Sequence, residues 1–417
     1  MITLLVAIIL YFILLIALDK LKSNKFSKSI IYSLNKETAE NNVKIMKETD
    51  EDVYNEYINI QENTMDYSMS VLQLSKEYKV NHPPHNKKRN NNVKNYQYGD
   101  IHQSKYNKKD YVKTAVEDIS FGVKNKECFG ILGFNKSGKS TILEMIISEQ
   151  FPTTGNIYYD GIDSHQIDMT KLSFGYLPQK DIFWKDLTVK KNINYFLKIR
   201  GYSKEKIKEL TKKFISDYHL EFDKDLNITQ LSYGIKRKLC LLLALCDNPK
   251  RIILDEPTLG MDPIMKRHIW KILKDTIKNT NHTSIIITTT SVEEAQILCD
   301  RIGVLIDGRF ISIGSPEHIK MKYCHHKYIL EVQSSEIEKF HQRVIEEDQL
   351  LGSNNNYKII DKFNDLIKYE VSISNGIGRI FEVMEGCKSS GLVLNYSFGQ
   401  ISLDQVILNF YKYSKQK

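Results

Sequence analysis

Gly133-Phe134-Asn135-Lys136-Ser137-Gly138-Lys139-Ser140 stands between the strand-like run Glu127 to Leu132 and a helical stretch that opens near Lys139. The octapeptide fits the pattern G-x-x-x-x-G-K-S, and it sits where such a loop must, between strand and helix. Glycine lets successive backbone N–H groups turn inward around phosphate oxygens, and the helix that follows points the positive end of its dipole at them. Lys139 adds a point charge for the outer phosphates, the Ser140 hydroxyl is placed for Mg2+, and Thr141 can bond the α-phosphate. The ligands implied are ATP and Mg2+, with Gly133, Phe134, Asn135, Lys136, Ser137, Gly138, Lys139, Ser140 and Thr141 as the cradle.

Working outward, Ile252-Ile253-Leu254-Asp255-Glu256 is an apolar strand that ends in two carboxylates. Alone it would be an ordinary solvated strand end. Paired with the loop it becomes the other half of a nucleotide site: Asp255 for the metal's water shell, Glu256 to orient and polarise an attacking water. Tyr78, at the end of the alternating stretch that begins at Ser70, offers an aromatic face to adenine. Gln179, after Gly175-Tyr176-Leu177-Pro178, is placed to reach both metal and attacking water. Leu231-Ser232-Tyr233-Gly234-Ile235 opens a helix that runs on through Lys236-Arg237-Lys238-Leu239, a second N-terminus able to accept phosphate. Gly260-Met261-Asp262-Pro263 lies just beyond the carboxylates.

From about Ala115 to Lys322 apolar strand runs alternate with helical stretches, which argues an α/β domain with a largely parallel sheet. Between Thr188 and Leu245 the pattern is almost wholly helical and predicts an inserted helical subdomain. After about Tyr323 the order becomes strand (327–332), helix (335–347), strand (357–361), strand (366–373), helix (376–388) and strand (393–397). That is the order of a split βαβ sandwich, followed by an amphipathic helix over Leu403 to Tyr413. It holds no titratable cluster, and a regulatory or packing domain is expected.

The rest of the chain sets the surroundings. Residues 20–68 form a charged connector in which Glu48-Thr49-Asp50-Glu51-Asp52 opens a helix, and residues 81–110 are too polar to offset chain entropy by burial, so a disordered insertion is expected. Ile2 to Leu18 is apolar apart from Thr3 and Tyr11, and at ~1.5 Å per residue it just spans a bilayer core of ~30 Å. A signal peptide is the competing assignment; no Lys or Arg precedes the run and no small-x-small site follows it. Lys20, Lys22, Lys25 and Lys28 place everything downstream in the cytosol by the positive-inside bias. One helix cannot shield a polar pathway from lipid, so further helices must come from elsewhere.

The 417 residues are enough for two or three folded units. The formal charge of +8 is concentrated beside the apolar run and in the polar insertion. No basic stripe with interleaved aromatics is present, and nucleic acid is not an expected partner. Six scattered cysteines without close metal-ligand spacing indicate a reduced, cytosolic body. Cys324-His325-His326 is a poor metal site, because three adjacent residues cannot easily converge on one ion.

With these elements in place the chain resembles the ABC transporter ATPases: Walker A at Gly133 to Ser140, Q-loop at Gln179, signature at Ser232 to Gly234, Walker B at Ile252 to Asp255 and D-loop at Asp262. More narrowly it resembles the C-terminal nucleotide-binding domain of subfamily A, the ABCA lipid transporters. Glu127-Cys128-Phe129-Gly130, Lys236-Arg237-Lys238-Leu239, Gly308-Arg309-Phe310, Gly314-Ser315-Pro316, Asp50-Glu51-Asp52-Val53 and Ser402-Leu403-Asp404-Gln405-Val406 are similar to that subfamily's runs. The resemblance implies a P-loop NTPase cassette over 69–323 with an inserted helical subdomain. It implies a small α+β, ferredoxin-like regulatory domain over 324–417 and, over 1–19, the last transmembrane helix of a much longer transporter. It also implies a second cassette that closes head to tail, so that Ser232, Gly234 and Asp262 serve the partner's nucleotide, and lipid as cargo.

Two departures bear on activity. Tyr233 replaces the first signature glycine and crowds the close approach of backbone to phosphate. Thr290, in Thr288-Thr289-Thr290-Ser291, takes the place of the family's switch histidine, with a shorter and uncharged side chain to meet the γ-phosphate. Glu256 remains, so slow hydrolysis and a site used mainly for binding and closure are both open. A soluble cassette of translation or repair is opposed by the apolar N-terminus. An unrelated P-loop kinase has no use for Ser232 to Gly234 or for Asp262.

Overall fold

The computed structural model describes residues 50–416 apart from 81–110, 170–171, 181, 247, 281, 325–326, 348–349, 352–356 and 373–376. The expected membrane span at Ile2 to Leu18, the polar insertion, and His325 and His326 lie outside the described residues. Among the described residues no helix is long and apolar enough to cross a membrane, and no cluster of three or more His, Cys, Asp or Glu side chains is gathered to hold a metal ion by itself.

A sheet of parallel strands carries the candidate site. It is built from β3 (Cys128–Gly133), β6 (Phe174–Leu177), β7 (Arg251–Asp255), β8 (Ser284–Thr289) and β9 (Arg301–Ile306), with β10 (Arg309–Gly314) antiparallel at one edge; the order is β10-β9-β3-β8-β7-β6. Strands β3, β7 and β8 are buried along their whole length, which is why they appear as continuous rather than alternating apolar runs. Gly133, Asp255 and Thr289 close three neighbouring parallel strands, so the loops that follow emerge from one edge of the sheet.

One face of this sheet is covered by α2 (Lys139–Ile146) and a second sheet of antiparallel strands, β1 (Met69–Val80), β2 (Tyr111–Val123), β4 (Thr154–Tyr159) and β5 (Ile162–Asp163), in the order β2-β1-β4-β5. The other face is covered by α5 (Tyr233–Leu245), α6 (Pro263–Asn279) and α7 (Val292–Leu298). The expected helical subdomain is α3 (Val189–Ile199) and α4 (Lys204–Asp217) packed on the outer side of α5 around Ile193, Leu197, Leu239 and Leu242.

The segment expected as a connector contributes α1 (Glu51–Glu62) to this body. Val53, Tyr57 and Ile60 are buried, and buried Glu56 accepts from Gly122 N at 3.0 Å and pairs with Arg301, which also meets Glu127 at 3.1 Å. Asp50 caps the helix by accepting from Asp52 N. Asp50 and Asp52 each take Lys322 Nζ at 2.7 Å from α8 (Pro316–Tyr323). Three of the charges that make this stretch look like a solvated linker, Asp50, Asp52 and Glu56, are thus ion-pair partners of the cassette.

Past α8 a third sheet runs β12-β13-β11-β14, from β11 (Lys327–Gln333), β12 (Tyr357–Lys362), β13 (Leu366–Ser372) and β14 (Asn395–Gln400), all antiparallel, with its own core. That is the split βαβ order. The helix expected over 335–347 is a short α9 (Ile337–Phe340) that widens into a π-turn over His341–Glu347. α10 (Ile377–Ser389) follows, and α11 (Leu403–Gln416) leaves this domain to join the cassette core through Leu403, Val406 and Ile407.

The β1–β2 ladder is irregular where Gln73 (φ 50°) and Asp118 (φ 48°) both adopt left-handed backbone; among the described residues, buried Gln73 Nε2 and Asp118 Oδ1 have no hydrogen-bond partner. Burial pushes the Asp118 carboxyl up from 3.8 to about 6, with Arg309 opposing the shift. The folded chain therefore holds this proton to higher pH than the unfolded chain. Stability falls as pH rises from about 4 to about 6, and the penalty is fully present at neutral pH. Asp118→Asn, which tolerates the same backbone, is expected to add about 1–2 kcal/mol at pH 7 after discounting for partial exposure. Urea unfolding should show little gain at pH 4; an equal gain at both values would refute the assignment.

Candidate functional site

The glycines of the loop are sterically required. A Cβ on Gly133 would meet Leu305 O at 2.5 Å and Ser137 Oγ at 2.7 Å, and one on Gly138 would meet Ala115 O at 2.5 Å. Gly138 also has φ +106° and opens α2 without a side-chain cap, so the first-turn N–H groups are left for another acceptor. The turn is fixed by Ser137 N donating to Phe134 O at 3.2 Å and Gly308 N donating to Ser137 O at 3.0 Å. Buried Ser137 Oγ has no hydrogen-bond partner among the described residues.

Lys139 is buried, and its Nζ donates to Gly133 O at 2.9 Å and Phe134 O at 3.0 Å, with Glu256 Oε1 3.6 Å away. Burial pulls its pKa down, while Glu256 and Asp255 hold it up. Asp255 ends β7 and accepts from Thr288 Oγ1 of β8 at 2.5 Å. Glu256 N donates to Thr288 O at 3.0 Å, and φ of +49° at Glu256 turns the chain sharply out of the strand. One ammonium therefore faces two buried carboxylates. That surplus of negative oxygen suits a hard divalent cation, and the glycine turn, orphan Ser137 hydroxyl and uncapped α2 suit a polyphosphate. The residues present fit ATP with Mg2+.

Arg237 joins the pieces behind the site, and spacing arguments alone passed over it. Fully buried on α5, it donates from Nη1 to Pro178 O at 2.5 Å, and from Nη2 to Asp255 O and to Glu256 O at 3.2 Å. One guanidinium thus ties the residue before Gln179 to the backbone of both carboxylates. A signal existed: Arg237 precedes buried Cys240, Leu241 and Ala244 by three, four and seven residues, the apolar face of the helix. Glu294 was also missed. Buried on α7, it accepts from Thr258 Oγ1 at 2.6 Å and Trp270 Nε1 at 3.2 Å, and so ties the helix after Thr290 to the turn after Glu256.

The remaining candidates are distributed more widely. Ser140 and Thr141 are half-buried in the first turn of α2, Asn135 and Lys136 are exposed on the loop, and Gln179 and Thr290 are exposed at the ends of β6 and β8. Tyr78 donates its hydroxyl to Gln150 Oε1 at 2.6 Å, and Lys76 Nζ lies 5.4 Å from its ring centre. Ser232 and Asp262 cap α5 and α6 by accepting from Ile235 N and Met265 N. Among the described residues no hydrogen bond or ion pair links Ser232, Gly234 or Asp262 to the phosphate loop. Tyr233 covers Gly260, where a Cβ would come within 2.8 Å of the ring, and remains 48% exposed.

Residues 116–259 match the family described as ABC transporter. The glucosylceramide transporter ABCA12 of Homo sapiens is 34% identical over 311 residues, 72% of this chain and 12% of that protein. The cholesterol transporter ABCA5 of Rattus norvegicus is 30% identical over 329 residues, 76% of this chain and 20% of that protein. The chain thus spans a fifth or less of the length of these curated relatives. Among solved structures, the dimeric post-hydrolysis state of the ATP-binding cassette MJ0796 with ADP and Pi aligns at 23% identity and a TM-score of 0.49, over 59% of this chain and 98% of that one.

Proposed function

Because this chain belongs to the ABC transporter family, with sub-family A members among its relatives, we propose that it is the ATP-driving cassette of a lipid transporter. The supporting observation is Lys139 held between the glycine turn and the Asp255–Glu256 pair. In this reading Lys139, the loop N–H groups and Thr141 bind the phosphates, and Tyr78 stacks on adenine after leaving Gln150. Ser140, Gln179 and Asp255 would hold Mg2+, which supplies charge neutralisation for the leaving phosphates. Glu256 orients the attacking water and takes its proton; Thr290 meets the γ-phosphate in place of a histidine. A second cassette brings its Ser232, Gly234 and Asp262 to this site, and closure is passed to membrane helices, of which Ile2 to Leu18 is one. The nucleotide-binding and regulatory domains then lie on the cytosolic side.

Lys139→Ala is expected to weaken Mg-ATP binding by about 10- to 30-fold, the scale of one charge-assisted contact. Titration of the purified chain with a fluorescent ATP analogue checks this. No measurable affinity with Lys139 intact would end the proposal. Exposed Thr290 in the place of a histidine and the Tyr233 ring favour a second reading, a half that binds and closes with little turnover.

A further inference from the structure

Helix α11 belongs by sequence to the C-terminal domain, yet its far end reaches the nucleotide loop. The Tyr411 ring packs on Phe134, the second residue of the glycine turn, with centroids 4.5 Å apart and planes at 42°. Phe134 is more than a spacer there. Its carbonyl accepts from Lys139 Nζ at 3.0 Å and from Ser137 N at 3.2 Å, so the ring's placement fixes the acceptor that holds the loop's ammonium.

α11 is itself held firmly. Ile401, Leu403, Val406 and Ile407 are buried in the cassette core, and Phe410 meets Tyr323 edge to face at 4.7 Å. Tyr323 and Lys322 in turn bond Asp50 at the start of α1. A loop rich in glycine loses much freedom when it closes on phosphate, and an aromatic contact made beforehand reduces that loss.

We infer that Tyr411 is a positioning residue of the nucleotide site: through Phe134 it pre-orders the phosphate loop, so the C-terminal helix sets nucleotide affinity. This rests on the nucleotide reading above and adds the element that tunes it.

In the full-length chain, Tyr411→Ala is expected to raise Kd and KM for Mg-ATP about 3- to 10-fold, the worth of an aromatic pair, with kcat changed less than twofold. Tyr411→Phe keeps the ring and should stay within twofold of the unaltered chain. Leu408→Ala, one turn away and exposed, should change nothing. Phe134→Ala combined with Tyr411→Ala should be no weaker than Phe134→Ala alone. Unchanged affinity in Tyr411→Ala, equal losses in the Phe and Ala variants, or additive losses in the double variant would overturn the inference. Absence of Lys139-dependent binding in the unaltered chain would instead overturn the nucleotide reading and this inference with it.

Discussion

Arg237→Ala is expected to destabilise the cassette by about 3–5 kcal/mol, the lower part of the range for leaving three buried carbonyls without a donor. Three carbonyls, those of Pro178, Asp255 and Glu256, would lose their donor where little water can replace it, and each such loss costs about 1–3 kcal/mol. A cavity adds to the loss. Arg237→Met fills the volume and should recover only part of it, since the carbonyls stay unpaired. Lysine offers a single point donor instead of a planar fork and should rank between the two. Chemical denaturation of the three variants gives the order directly. A loss below about 1 kcal/mol for alanine would mean that the guanidinium contacts contribute little.

The second large effect concerns Glu256. Its glutamine variant is expected to hydrolyse ATP about 100- to 1000-fold more slowly, because the amide cannot take a proton from the attacking water. Binding should be retained or tightened, since a negative charge 3.6 Å from the Lys139 ammonium is removed from the phosphate site. Rates and affinities measured together separate the two functional readings. A large fall in rate supports turnover driven by this carboxylate. A rate already near zero and unchanged by the substitution supports binding and closure alone.

The site's centre was legible because its chemistry is local: eight consecutive residues define the turn, and an apolar strand ending in Asp-Glu identifies β7. The parallel sheet followed from continuous apolar runs, which only a strand covered on both faces produces. What escaped were partnerships between distant segments. Thr288 stood in a run of threonines, and its hydroxyl bond to Asp255 depends on β8 lying in register beside β7. Arg237 sits in a triplet of basic residues that looks solvated until its helical face is compared with Cys240 and Leu241. Glu56 makes α1 look like a linker, yet its partners Gly122 and Arg301 come from β2 and β9. The contact between Phe134 and Tyr411 had no signal in the sequence, since neither aromatic marks its partner. Tyr78 was picked out for its place at a strand end, and the structure gives it Gln150 as a neighbour.

The route of α11 has a bearing on how the polypeptide acquires its shape during synthesis. The face of the cassette that receives Leu403, Val406 and Ile407 is made before the α+β domain that separates it from those residues in the chain. Until translation reaches them, that apolar face lacks the cover that these three side chains give it. Domain-by-domain folding from the ribosome is therefore incomplete here, and the exposed face is a natural point for chaperone capture or self-association before the late helix arrives.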